Sequence, residues 1–307
     1  MAARDPGTYL NLRIGESTVR THYHEMGPAG GAPVVFMQTG GAATSAWMCW
    51  YLNLPVFAEA GYRVLAPDNL GFGETQLVSG PAVRAPDFMG AFLDAMGVER
   101  AHFIGNSGGS MATTAFAAAH PERVASFITS GGEPRIDTDQ ARAIAPLLGR
   151  TARMDFVREM LSKPQVAFED LRKATADFFY DPDHPRIHEV TEMRLELMRR
   201  PGLQEKEREA AFRQIEGGRQ NIDNSVFERI TAPTYLIHGR DERFFYAADH
   251  WPHLFDAAMK ATTVIPACDC TVLAHCGHWP QIEMADRYNR LCLEFLAWVQ
   301  RGRKPAG

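Results

Sequence analysis

Apolar and polar residues alternate in short blocks along the first 130 positions of the chain. Residues 17–25 (Ser-Thr-Val-Arg-Thr-His-Tyr-His-Glu) switch at nearly every step, the period of a strand with one solvated face. Pro33–Met37 is an unbroken apolar run, as in a strand buried on both faces. Leu54–Ala60 reads as a helix stopped by Gly61, and Tyr62–Pro67 as a strand leading into the loop Asp68-Asn69-Leu70-Gly71-Phe72-Gly73. A helix around 86–96 runs to Gly97, Ala101–Ile104 is a strand, 110–119 is a small-residue helix ending near His120-Pro121, and Val124–Ser130 is a further strand. Strands alternating with helices predict an α/β protein whose mostly parallel sheet carries helices on both faces.

The pattern changes after Glu133. As far as about Val226 there are helical stretches, rich in charge and methionine, without a convincing strand. Alternation returns with a strand at Thr234–His238, a helix near 247–258, a strand-like run at 261–265, a last short strand at Val272-Leu273 and a closing helix from Asp286 to Arg301. This divides the chain into a core of residues 1–133 and 226–307 and a helical cap of residues 134–225. The cap is expected over the carboxyl ends of the strands, where open α/β sheets bind ligands. There is no internal repeat and no low-complexity segment.

At 307 residues with 45% apolar content, the chain can bury a large core. A net charge of −5 gives no electrostatic footprint for nucleic acid or anionic membranes. The five cysteines (Cys49, Cys268, Cys270, Cys276 and Cys292) have neither disulfide-framework nor zinc-site spacing, which predicts a reducing compartment and no metal. No apolar run reaches membrane-spanning length, and the first residues show no signal-peptide core, so the expected location is cytoplasmic.

The chemistry is carried by Gly105-Asn106-Ser107-Gly108-Gly109, between the apolar strand and the small-residue helix. A serine on a strand-to-helix turn flanked by glycines is a nucleophile elbow: the turn has no room for neighbouring Cβ atoms, and its strain pushes the hydroxyl out of the sheet. Serine is a weak nucleophile on its own, so it needs a histidine base and a carboxylate to fix that histidine's tautomer. With this elbow the acid and then the histidine follow along the chain. Asp241, on the loop leaving the 234–238 strand, is the preferred acid, with Glu242 its nearest rival. His278, before the last helix, is the preferred base, with His275 its rival. An oxyanion hole would take one backbone N–H from Gly108 and a second from the loop after the 33–37 strand, at Gly40 or Gly41. In a helix over 186–200, Arg194 falls on the stripe made by Ile187, Val190, Met193, Leu197 and Met198. A charge on an apolar stripe needs a partner, supplied by the protein or by a ligand.

These residues together resemble the meta-cleavage product hydrolases, C–C bond hydrolases of the α/β-hydrolase superfamily. The resemblance rests on Gly61-Tyr62-Arg63-Val64, Pro67–Gly73, the elbow, Gly239–Phe244 and, most specifically, Cys276-Gly277-His278-Trp279-Pro280-Gln281-Ile282-Glu283 with Ala285-Asp286 and Asn289-Arg290 beyond. It implies an α/β-hydrolase fold with an inserted helical cap, no cofactor, a small-molecule substrate and a dimer or larger assembly. It favours His278 over His275 and implies that Arg194 binds the carboxylate or dienolate end of the substrate. Asn106 and Trp279 would line the pocket, and Cys49 stands where the family has a substrate-holding asparagine. The sequence departs from the family at Gln38-Thr39-Gly40-Gly41-Ala42, where His-Gly-Gly-Gly-Pro is usual, and at Gly108, usually a larger apolar residue. The expected activity is cleavage of a 2-hydroxy-6-oxo-dienoate-like substrate. The alternative is ester or lactone hydrolysis by the same triad. Lyase chemistry and slow-turnover ligand sensing are further readings that the fold would allow.

Overall fold

A computed structural model describes residues 5–78, 83–131, 152–163, 165–200, 202–203, 205–206, 209, 225–242 and 251–302. Eight strands form one sheet: β1 (Thr8–Ile14), β2 (Ser17–Met26), β3 (Pro33–Met37), β4 (Arg63–Pro67), β5 (Ala101–Asn106), β6 (Val124–Ser130), β7 (Thr234–Gly239) and β8 (Cys268–Leu273). Their spatial order is β1-β2-β4-β3-β5-β6-β7-β8. β1 and β2 pair antiparallel, as do β2 and β4, and every pairing from β4 through β8 is parallel.

The central strands are apolar throughout because both faces are covered. Val34, Phe36, Val64, Ala66, Ile104, Ile128 and Ile237 point to one core, packed by α1 (Ala46–Trp50), α2 (Leu54–Glu59) and the closing helix (Ala285–Gln300). Their chain neighbours Val35, Met37, Leu65, Phe103, Phe127 and Leu236 point to the opposite core, packed by α3 (Ala85–Ala95) and α4 (Gly108–Ala119). The period-two alternation of a strand thus divides one continuous apolar run between two cores.

Between β6 and β7 lies an inserted helical region. It includes α5 (Ala152–Ser162), α6 (Phe168–Ala176) and α7 (Arg186–Arg199), followed by the short α8 (Ser225–Glu228). Met160, Leu161, Leu171, Ala174, Leu195 and Met198 from this insertion pack on Ala42 and Ala43, the loop after β3. Of the expected cap limits, 134 lies outside the described residues. Residue 225 opens α8, whose Phe227 is buried in the sheet core.

Three local expectations need correction. Thr8–Ile14 forms a strand outside the expected set; its period-two signal, Leu10, Leu12 and Ile14, is short, and only Leu12 is fully buried. The run at 261–265 is not a strand, because α9 spans Trp251–Val264. Ala258 and Ala261 in the helix and Ile265 just after it are buried, three and four apart, so helical packing overrides the β-branched Thr262-Thr263-Val264. The last strand is longer than Val272-Leu273, pairing with β7 from Cys268 onward. The expected helix start at 247–250 lies outside the described residues. A short helix α10 (Pro280–Glu283) then precedes the closing helix, α11.

Candidate active site

The parallel order β3-β5-β6-β7-β8 brings the loops at the carboxyl ends of these strands side by side. Ser107 follows β5 with φ +53° and ψ −114°, a conformation that costs a non-glycine residue on the order of 1–3 kcal/mol. Glycines on both sides permit the turn. A Cβ at Gly105 would lie 2.7 Å from the Gly109 carbonyl carbon, and one at Gly109 would lie 2.0 Å from the Met37 carbonyl oxygen. The Ser107 N–H donates to the Ser130 carbonyl at 2.8 Å, fixing the elbow to the end of β6. Gly108 is the first residue of α4, so its N–H has no acceptor within the helix and faces outward with the positive dipole end.

His278 is fully buried. A Cβ built on Gly131, next to Ser130, would lie 3.0 Å from its Cε1, so the imidazole stands against the same end of β6 that holds the elbow. The rival His275 is exposed, has φ +56° and turns its ring toward Tyr180.

The two candidate acids separate clearly. Glu242 is buried, and its Oε1 lies 2.9 Å from Nδ1 of His278, in contact although not aligned as a hydrogen bond. Asp241 faces the other way. Its Oδ2 accepts the His275 N–H at 2.7 Å, and both oxygens meet the Arg240 guanidinium at 3.1 and 3.2 Å. Asp241 therefore braces the turn, and the carboxylate against His278 is that of Glu242 instead of the preferred Asp241. The physical reason lies in the turn: Asp241 N–H bonds to the Cys276 carbonyl at 3.0 Å, which points the next side chain inward.

The loop after β3 carries Gly40 and Gly41, the latter with φ +116°, followed by Ala43 with φ +59°. Its shape is set by short-range bonds. The Gln38 side-chain amide donates to the Thr44 carbonyl at 3.1 Å and accepts the Asn69 N–H at 3.3 Å. The Thr44 hydroxyl lies 2.8 Å from the Gly41 carbonyl. Asp68 accepts the Ala46 N–H at 2.6 Å and pairs with His22 at 2.8 Å. Burial alone would lower the pKa of His22, but the hydrogen-bonded, charged Asp68 outweighs it and raises it. Burial pushes the Asp68 carboxyl up, while His22 and the backbone donors outweigh it and hold it below its usual value. The pair thus anchors the start of α1 behind the loop.

Arg194 is 4% exposed although it sits on the apolar face of α7. It donates to the Thr175 hydroxyl at 2.8 Å and to the Ala42 carbonyl at 3.0 Å. Its guanidinium carbon lies 6.0 Å from the centre of the Phe178 ring, which is 5.5 Å from the His278 ring. The guanidinium thus ties α7 to α6 and to the loop after β3.

The other expected pocket residues are held in the scaffold. Asn106 donates through Nδ2 to the Ser130 carbonyl at 3.1 Å and to the His278 carbonyl at 3.1 Å, so it positions the histidine loop from below. Trp279 is fully buried and stacks on Phe178 with ring centres 4.1 Å apart. Cys49 is buried beneath the glycine loop, where its sulfur accepts the Gln281 amide at 3.4 Å and burial pushes its pKa up to about 12. The polar contacts of Asn106 and Cys49 and the ring stacking of Trp279 are all with other parts of the scaffold. Phe178, Thr175 and Glu283 are site residues the sequence reading did not single out; for Glu283 the only signal was its place in the histidine-loop motif. Among the described residues, no cluster of His, Cys, Asp and Glu could hold a metal ion, and no helix is long and apolar enough to cross a membrane.

Residues 33–285 match the family defined by the alpha/beta hydrolase fold. The chain is 31% identical over 295 residues to the 2-hydroxy-6-oxononadienedioate/2-hydroxy-6-oxononatrienedioate hydrolase of Paraburkholderia phymatum, covering 94% of each chain. It is 30% identical to the hydrolase of the same name from Burkholderia vietnamiensis, again over 94% of each chain. In three dimensions it is similar to the meta-cleavage product hydrolase of Pseudomonas fluorescens IP01, with a TM-score of 0.75, 28% identity and coverage of 95% of this chain and 97% of that one. The chain belongs to the alpha/beta hydrolase family and, within it, to the meta-cleavage product hydrolases. It is thus a hydrolase of a cofactor-independent C–C hydrolase family.

Proposed function

We propose that this protein hydrolyses a C–C bond in a 2-hydroxy-6-oxo-dienoate through a Ser107–His278–Glu242 triad. The observation that carries this reading is the buried Arg194 guanidinium held over the glycine loop by the Ala42 carbonyl. A cation there matches the carboxylate and 2-oxygen of a dienoate, whereas a simple ester gives it nothing to bind. In the first step the 2-hydroxy dienol ketonises: the hydroxyl proton leaves and a proton is added at C5. Ser107 Oγ then attacks the C6 carbonyl, its proton passes to His278 Nε2, and Glu242 stabilises the imidazolium. The C6 oxyanion is held by the N–H groups of Gly108 and of Gly40 or Gly41, each such donor contributing about 3–4 kcal/mol. The C5–C6 bond breaks, and its electron pair delocalises along the chain to the C2 oxygen, beside Arg194. A proton returns from His278 to give a 2-hydroxypentadienoate. Water activated by His278 then hydrolyses the acyl-enzyme and frees Ser107.

The test is turnover of 2-hydroxy-6-oxo-6-phenylhexa-2,4-dienoate and of a p-nitrophenyl ester, each with Ser107→Ala as control. Rapid loss of the dienoate absorbance, dependent on Ser107 and with kcat/KM well above that for the ester, supports the proposal. Ester turnover dependent on Ser107 without dienoate turnover would replace it with ester or lactone hydrolysis. That reading draws on the altered Gln38–Ala42 loop.

A further inference from the structure

Glu283 takes no part in the chemistry just proposed, yet its carboxylate joins the two segments that frame His278. One oxygen accepts the Gly277 N–H at 2.6 Å. The other accepts the N–H groups of Tyr180 and Asp181, at 2.8 and 3.3 Å, from the inserted region. Alongside this clamp the His278 N–H donates to the Phe178 carbonyl at 2.8 Å. The two backbones are in direct contact: a Cβ on Gly277 would lie 2.5 Å from the Phe178 carbonyl oxygen and 2.7 Å from the Tyr180 nitrogen. Glu283 is itself fixed, since its own N–H bonds to the Trp279 carbonyl at 2.9 Å at the end of α10.

We propose that Glu283 is a positioning residue for His278. Its carboxylate bolts residues 178–181 of the insertion to the histidine loop, so that the imidazole is held between the elbow and Glu242. The inference rests on His278 being the general base. Two acceptor oxygens are required, because N–H donors approach from both sides. A glutamine keeps the shape but turns its NH2 toward one set of donors, which breaks the clamp on that side. Burial, with the Asp181 charge beside it, outweighs the three backbone donors and raises the Glu283 carboxyl. Small displacements of a catalytic group can cost on the order of 10²-fold in rate, so the effect belongs in kcat.

The experiment compares Glu283→Gln and Glu283→Asp with wild type and His278→Ala. It measures kcat and KM on the Ser107-dependent substrate, the thermal midpoint, and the ring Cε1–H resonance of His278 in the free enzyme. Glu283→Gln is expected to lower kcat by about 10- to 100-fold, to leave KM within about twofold, and to shift or broaden the resonance. Glu283→Asp, which keeps both acceptors, is expected to restore part of kcat. Wild-type kcat and an unmoved resonance in Glu283→Gln overturn the proposal, as does a loss of rate that tracks only the loss of folded protein. If Glu283→Gln does not fold, Glu283→Asp decides by the same criteria. If His278→Ala retains turnover, the proposed chemistry fails, and the resonance alone decides whether Glu283 positions the ring.

Discussion

Glu242 Oε1 lies 2.9 Å from Nδ1 of His278, while the neighbouring Asp241 carboxylate is taken up by Arg240 and the His275 N–H. Adjacent carboxylates thus do different work, one against the histidine and one inside the turn. Replacing the acid of a triad by its amide leaves the geometry but presents the wrong partner to Nδ1, at a cost of roughly 10⁴ in kcat. Glu242→Gln is therefore expected to lose about 10³- to 10⁴-fold in kcat. Asp241→Asn is expected to lose less than about tenfold, because exposed or half-exposed ion pairs contribute little. Steady-state kinetics of the two variants decides the point, and the reverse ranking would return the acid role to Asp241.

That pair also marks where sequence reasoning stops. The elbow was legible because a buried strand, two obligatory glycines and a helix lie consecutively along the chain, so local sterics specify the turn. Arg194 was legible because a charge on an apolar helical stripe is conspicuous at any range. The choice between Asp241 and Glu242 depends on how the turn after β7 is rotated by the Cys276 carbonyl, 35 positions further on. Asn106 and Cys49 likewise find their partners 172 and 232 residues away, at His278 and Gln281. Side-chain direction at these positions is a property of the assembled sheet and loops, which no local pattern encodes.

Arg194 separates the two classes of substrate. A hydrogen bond to a charged group contributes about 1.5–3 kcal/mol, so Arg194→Met is expected to cut kcat/KM for a dienoate by roughly 10- to 100-fold. For a neutral aryl ester the change should stay within about threefold, since that substrate offers no anion to the guanidinium. The comparison is made with both substrates on the same enzyme preparation. Equal losses on both would mean that Arg194 acts only by holding the Ala42 carbonyl.

Gln38 supports the loop proposed to supply an oxyanion donor, through the Thr44 carbonyl and the Asn69 N–H. Gln38→Leu keeps similar bulk and removes both bonds, leaving those backbone groups buried without their partner. Complete loss of one oxyanion donor costs about 10²–10³ in kcat, so a loosened loop is expected to lose about tenfold, with KM little changed. Dissociation constants for a product measured beside kcat would expose the contrary case, in which the loop serves ground-state binding and KM rises with kcat intact.

His102, at the start of β5, lies at the opposite end of that strand from the elbow, with Nδ1 2.8 Å from the Ser126 hydroxyl. Burial, reinforced by the nearby Arg100 charge, lowers its pKa from 6.5 to about 4. The folded state therefore resists a proton that the unfolded chain accepts. Stability from this group is present in full above pH 6.5. It is lost as the pH falls from there toward 4, and below that both states are protonated and the loss stops. A shift of this size corresponds to about 3 kcal/mol in total, of which about 2 kcal/mol falls between pH 7 and 5. His102→Asn can keep a bond to Ser126 but cannot titrate. It is expected to be less stable than wild type at pH 7, where the ring's packing is lost, and to close that gap by about 2 kcal/mol at pH 5. Urea unfolding of both proteins at the two values measures the difference directly. Parallel decline of the two curves would show that His102 is not the group through which mild acid loosens the sheet.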